Sequence, residues 1–263
     1  LRYEHVHLGR LSESETAILW EKMGEVILEA TRHSDGTDWA AADWESRAQR
    51  ANDRTRAYLV WDGDLLVAFT QYAFFPYAGR TCVHMQSGYV RPSHQRGGIG
   101  FSISARVAHR SFLSRPWGEF LLVSDMLNPV VMTGWVARFP KVTRMYPEVV
   151  GQHSAELRDL APAVARDMYP WTRFDAEHSV LKGRTTPRSD FVHRSGNPEI
   201  DDYFRAHMDP TTGDTVLLLA EFDHGTVFRG LRELIGTTRR MLDRRLRSRG
   251  TRSVQDAHPD AAR

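Results

Sequence analysis

Cysteine is almost absent from this sequence. Cys82 is the only one in 263 residues, so no intramolecular disulfide can form, and a reducing, cytoplasmic setting is the expected one. Long apolar runs are missing too. Spanning a bilayer takes roughly 20 apolar residues. The most apolar stretch, residues 65–75, is broken by Thr70 and Gln71 and reads as a strand, so no membrane partner is expected. The opening Leu1-Arg2-Tyr3-Glu4-His5 lacks the charged-then-apolar pattern of a secretion signal. Charge of one sign is lacking: 35 Lys and Arg stand against 33 Asp and Glu, a net +2, which argues against a surface built for polyanions such as nucleic acid. There is no internal repeat, and the histidines are scattered singly without metal-ligand spacing, so no metal is expected.

What is present is enough apolar residue, 41%, for one sizeable core or one core with a smaller appendage. Ile18, Leu19, Met23, Val26, Ile27 and Ala30 recur at helical spacing and predict a helix over 15–33, capped by Ser12 or Ser14. A second helix is expected over 38–52, with Trp39 and Trp44 as anchors. Strands follow over 56–61 and 65–75, joined at Asp62-Gly63-Asp64 as a hairpin, and then over 81–90. A glycine-rich turn, a helix over 101–113, a strand over 116–127 and a short helix over 128–138 complete this part. An antiparallel meander beside a strand–helix–strand crossover implies a mixed sheet with helices packed on it. Beyond Pro147 the pattern thins: helix over 154–168, loop over 182–197, strand over 215–222, basic helix over 227–249 and a flexible tail over 251–263.

The sharpest local feature is Val90-Arg91-Pro92-Ser93-His94-Gln95-Arg96-Gly97-Gly98-Ile99-Gly100. It reads as a strand stopped by proline, a turn, and a helix N-terminus whose glycines let backbone N–H groups approach a pyrophosphate. Arg91, Arg96 and Arg106 would add positive charge. A P-loop would need a following lysine, and a dinucleotide fingerprint a third glycine where Ile103 stands; neither fits. The run Gln95 to Gly100 resembles the acyl-CoA motif of the GNAT (Gcn5-related N-acetyltransferase) superfamily, Gln/Arg-x-x-Gly-x-Gly/Ala. Val90-x-Pro92-x-His94 before it and Asn128-Pro129 after the next strand resemble the same family, over about residues 1–150.

That resemblance implies an α/β (α+β) fold, a mixed and mostly antiparallel sheet flanked by helices. Residues 151–250, which the resemblance does not cover, are expected to form a C-terminal elaboration with a last sheet strand over 215–222 and the basic helix. The resemblance implies acetyl-CoA or another acyl-CoA as co-substrate, held by Gln95, Arg96, Gly97, Gly98, Ile99 and Gly100. The strands 81–90 and 116–127 should splay apart, with pantetheine along Tyr89 and Val90 and beside Asn128. The acceptor implied is an amine, most simply on a small molecule. Its proton needs a base, and the leaving thiolate benefits from a proton donor. The family often supplies a tyrosine about seven residues after the position of Asn128; here that place is Trp135, and Tyr146 is the next tyrosine. For the base the candidates are His84, Asp125 and Ser124, each with a plain structural alternative: a bonded strand histidine, or a turn acid capping the next helix. Trp39, Trp44 and Tyr72 line an acceptor pocket or belong to the core, and the run Phe74-Phe75-Pro76-Tyr77 forms a lip over the acyl group or packs as a strand end. Arginines 239, 240, 244, 245, 247 and 249 favour a solvated face or a subunit contact, as in a homodimer, over nucleic acid. Two other functions stay open: docking of an acidic acyl carrier protein, or use of a malonyl thioester, and a non-catalytic CoA-binding module.

Overall fold

The computed structural model describes residues 1–31, 54–95, 97–114, 119–134, 144–149, 152–185 and 194–222. Its centre is a ten-stranded sheet in the order β1-β2-β3-β4-β5-β10-β6-β7, with β9 pairing β10 and β8 pairing β9. The strands are β1 Arg2–His7, β2 Thr55–Asp62, β3 Leu65–Tyr77, β4 Arg80–Val90, β5 Phe120–Met126, β6 Arg144–Tyr146, β7 Gln152–His153, β8 Arg173–Asp175, β9 Val180–Lys182 and β10 Thr215–Phe222. The helices are α1 Glu13–Thr31, α2 Ile99–Ser114, α3 Pro129–Met132, α4 Ala155–Met168 and α5 Pro198–His207. Only β4/β5 and β6/β7 are parallel; every other pairing is antiparallel. This is the mixed, mostly antiparallel, helix-flanked sheet that the GNAT resemblance implied.

Local chemistry explains the boundaries. Ser12 and Glu15 form a reciprocal cap on α1: the Ser12 amide donates to Glu15 Oε2 at 2.9 Å, and the Glu15 amide donates to Ser12 Oγ at 3.3 Å. The β2–β3 hairpin turns on Gly63, whose φ of +59° needs a residue without Cβ. Ser154 caps α4 by accepting from the Leu157 amide, and Asn197 does the same for α5 through the Glu199 and Ile200 amides.

The helices form two layers. On one face α1 covers β2 and β3 through Met23, Val26, Leu59 and Phe69, while α4 covers β10 and β5 through Leu157, Val164, Leu217 and Leu219. On the other face α2 and α5 pack through Ile103, Val107, Ile200 and Phe204 onto Val83, Leu122 and Leu218. Both faces are covered, so the central strands are apolar throughout rather than alternating.

Some elements escape the sequence pattern. The strand β1 was not expected; its mixed residues carry no apolar alternation, and it is held by pairing with β2 from Arg2↔Trp61 to His7↔Arg56. The short strands β6 to β9 and the helix α5 were also unforeseen, with α5 lying where the expected loop ends. The C-terminal strand over 215–222 has the expected bounds and is the last strand in chain order among the described residues; in the sheet β10 lies between β5 and β6. The expected helix over 38–52, Trp39, Trp44, Trp135, the basic helix over 227–249 with its arginines, and the tail over 251–263 lie outside the described residues. Among the described residues no helix is long and apolar enough to cross a membrane.

Candidate functional site

The site grows out of the β4/β5 pair. These strands run parallel from Thr81↔Phe120 to Met85↔Ser124 and share no register beyond that point. The cause lies on the other edge of β4. There Gln71 faces Ser87 while Tyr72 faces Met85, so Gln86 is an extra residue, a bulge that bends β4 away from β5. From Ser124 onward β5 stays paired with β10 instead, through Asp125↔Leu217 and Met126↔Val216. A wedge therefore opens between the carboxyl ends of two parallel strands, as the resemblance implied.

Just past the bulge the main chain is tightly fixed. The Thr70 hydroxyl donates to the Ser87 carbonyl at 3.1 Å, and Ser87 Oγ donates to Gln71 Oε1 at 2.6 Å. A Cβ on Gly88 would lie 2.6 Å from Thr70 Oγ1, so this position accepts only glycine without rearrangement. Tyr89 follows with its ring against Phe69, the centroids 5.8 Å apart, and Val90 pairs with Ala68.

At the end of β4 the turn leads into α2. His94 ties it to the β2–β3 hairpin through Asp62 at 3.3 Å, and Gln95 Nε2 donates back to the Val90 carbonyl at 3.0 Å. Gly98 adopts φ +77°, and the first helical bond runs from the Ser102 amide to the Gly98 carbonyl. The amides of Gly98, Ile99 and Gly100 therefore precede the helical ladder, at the positive end of the dipole. A Cβ on Gly98 or Gly100 would meet no atom within 4 Å, whereas Ile99 anchors the helix in the core at 5% exposure. The space beside these glycines is open, while the intervening Ile99 faces the core. Gly97 is tighter, its Cβ position lying 3.5 Å from the His94 carbonyl, and Arg96 lies outside the described residues.

The expected arginine contributions go elsewhere. Arg91 is buried, donates Nε to the Leu66 carbonyl at 2.7 Å, and pairs with Glu25 and Glu29 of α1. Arg106 lies over the Tyr3 ring. The turn therefore offers a ligand backbone amides and a dipole in place of these two guanidinium groups.

The catalytic candidates divide. His84 sits opposite Ala73, with its neighbour Cys82 in the α4-side core, and Asp125 continues the inward series Leu121, Val123. Both point to the face shared by α1 and α4. Ser124 belongs to the opposite face with Leu122 and Met126. Tyr146 is on β6, beyond β10, and its hydroxyl donates to the Ala176 carbonyl. Asn128 caps α3 by accepting from the Val130 amide at 2.9 Å. Tyr72 is fully buried and bonded to His5 Nε2 at 2.8 Å on the α2 face, so it belongs to the core. Phe75 likewise packs in the α4-side core, and the Tyr77 hydroxyl donates to Asp167 at 2.7 Å.

Two residues that carry no sequence signal complete the arrangement. Tyr169, just after α4, stands between His84 and Asp125: its hydroxyl is 3.0 Å from His84 Nε2 and donates to Asp125 Oδ1 at 3.1 Å. Arg184 follows β9 and pairs Nε with Asp125 Oδ2 at 3.3 Å, both side chains being 7% exposed. Its guanidinium also covers the Tyr169 ring at 5.1 Å. Burial lowers the His84 imidazole to about 4, with the Asp125 carboxylate opposing and Arg184 adding to the fall. Burial and the Asp125 charge push the Tyr169 phenol well above its usual range. At neutral pH the imidazole and the phenol are thus both uncharged. A cleft of about 880 Å³ is lined by Arg173, Asp175, Lys182 and Asp214, and by none of His84, Asp125, Tyr169 and Arg184.

Neither a family model nor a curated protein matches the chain. Solved structures similar to it include the aminoglycoside 6'-N-acetyltransferase of Enterococcus faecium, at 18% identity and TM-score 0.33, over 48% of this chain and 61% of that one. A protein of Desulfovibrio desulfuricans assigned to the GNAT acetyltransferases matches at 12% identity and TM-score 0.38, over 85% of this chain and 98% of that one. The ribosomal-protein-alanine N-acetyltransferase of Brucella melitensis matches at 17% identity and TM-score 0.34, over 58% and 91%.

Proposed function

We propose that this chain transfers an acetyl or other short acyl group from acyl-CoA to an amine, most simply one on a small molecule. The observation that carries this reading is the parting of β4 and β5 beyond Met85 and Ser124, at the same end of the sheet as the Gly98 turn. A wedge between parallel strands offers main-chain groups to an extended arm. A helix N-terminus with open glycines beside it suits the pyrophosphate at the other end of that arm. Gly98 and Gly100 would admit the phosphates, the β4 main chain around Tyr89 and Val90 would hold the arm, and Asn128 would border it. In this reading His84 and Asp125, on the face covered by α1 and α4, would serve the acceptor as it meets the acyl group.

Release of free CoA thiol from acetyl-CoA, followed with a panel of small amines, tests the reading. Release that depends on the amine is expected, together with loss of CoA affinity by at least about tenfold in Gly98→Asp, or roughly 1.4 kcal/mol. A Cβ at Gly98 meets nothing within 4 Å, so this variant should fold, at a backbone cost of about 1–2 kcal/mol for the left-handed conformation. CoA binding without release would favour a non-catalytic module. Release from carrier-bound thioesters alone would favour the carrier-dependent reading.

A further inference from the structure

We propose that Tyr169 and Asp125 are positioning residues that fix the tautomer of His84, leaving His84 Nδ1 as the atom that takes the acceptor amine's proton. This inference rests on the acyl-transfer reading and names the proton path within it.

The direction of the hydrogen bonds carries the proposal. Asp125 is ion-paired with Arg184 and, as a carboxylate, can only accept. The Tyr169 hydroxyl has one proton, and it is given to Asp125 Oδ1 at 3.1 Å. The bond between Tyr169 Oη and His84 Nε2, at 3.0 Å, must then take its proton from the imidazole. Nε2 is therefore the protonated nitrogen, and Nδ1 keeps a free lone pair. Among the described residues Nδ1 has no hydrogen-bond partner; the ring otherwise meets Phe75 and Tyr169 edge-on. The titratable and charged groups around this chain are Asp125 and Arg184, with Cys82 beside Tyr169.

In the transfer, the amine nitrogen forms a bond to the acyl carbon and the carbon–sulfur bond breaks. The nitrogen loses one proton to His84 Nδ1, and the same proton then passes to the departing thiolate, giving the amide and the free thiol of CoA. An imidazole held weakly basic by burial returns its proton readily, so one residue covers both steps without the tyrosine absent at position 135. The fixed Nε2–H keeps the other face of the ring from competing.

Two substitutions separate this role from a structural one. Tyr169→Phe keeps the ring between His84 and Arg184 and removes the hydroxyl. Asp125→Asn keeps the shape, but its oxygen faces Arg184 and its amide faces Tyr169, which reverses the chain and turns His84 to the Nδ1–H tautomer. Both are expected to lower kcat at least tenfold at neutral pH, with KM for acetyl-CoA changed less than about threefold. In nitrogen-15 spectra of histidine-labelled protein, the His84 signal, assigned by its loss in His84→Gln, should show Nε2–H in the wild type and the opposite tautomer in Asp125→Asn. Unchanged kcat in folded samples of both variants, or an Nδ1–H tautomer in the wild type, overturns the inference while leaving acyl transfer intact. Absence of any amine-dependent CoA release by the wild type overturns the acyl-transfer reading, and the proton path with it.

Discussion

The Tyr169 hydroxyl donates to Asp125 Oδ1 at 3.1 Å, and this bond joins the C-terminal part of the chain to the mouth of the β4/β5 wedge. Asp125 lies one residue beyond the last β4/β5 pair, Met85↔Ser124, where β5 is already committed to β10. Residues beyond 150 thus contribute a central strand, a buried phenol and a buried guanidinium to the candidate site.

Gly100→Ala distinguishes a glycine kept for a ligand from one kept for the fold. The site of the new methyl is open, with no atom within 4 Å, and the position is inside the first turn of α2. Alanine should therefore raise unfolding stability, by up to about 1 kcal/mol. If the pyrophosphate approaches this turn, the same methyl should weaken CoA binding. A urea melt and a CoA titration on one sample check the pair of effects. Stabilisation with unaltered CoA affinity would remove Gly100 from the binding turn.

Gly88→Ala tests the packing just beyond the bulge. The added Cβ would stand 2.6 Å from Thr70 Oγ1, a hydroxyl already bonded to the Ser87 carbonyl. Overpacking of this kind costs about 1–3 kcal/mol. Thr70→Ala removes the obstacle, so the double variant should be less destabilised than the sum of the singles. Additivity within about 0.5 kcal/mol in a double-mutant cycle would show that the two groups do not collide.

Acid should destabilise the protein through two histidines that folding withdraws from water. Burial lowers both His5 and His84 from 6.5 to about 4. Between these values the unfolded chain binds protons that the folded chain refuses, so stability is present above pH 6.5 and declines as pH falls toward 4. Unfolding near pH 5 should take up about one proton for each of these residues. His84→Gln is expected to lower that uptake by about one proton, read from the slope of unfolding free energy against pH. An unchanged slope would mean that His84 titrates alike in both states.

Much of the architecture is legible in residue order because its causes are local. The hairpin at Gly63, the helix opened by Gly98 and the continuous apolar strands β5 and β10 each leave a mark within a few residues. The rest depends on partners distant in sequence. The strand β1 is polar and mixed, and β2 alone defines it. The bulge at Gln86 needs knowledge of the β3 register. His84 can be proposed from its place on the strand beside the wedge and Asp125 from the end of its strand, but Tyr169 and Arg184 cannot. No spacing relates them to the glycine motif, and only the insertion of β10, which carries β9 beside it, brings Arg184 to Asp125. The Tyr146 hydroxyl illustrates the converse, since the order of residues cannot show that β10 stands between it and β5.

The most direct measurement of the central claim is hydrogen–deuterium exchange of the protein with and without saturating acetyl-CoA. Slowed exchange is expected in two separate segments, residues 86–90 of β4 and residues 97–101 at the start of α2, with the effect at 97–101 weakened in Gly98→Asp. Saturable binding that protects a different surface, or no protection at millimolar acetyl-CoA, would contradict an acyl-CoA site in the β4/β5 wedge.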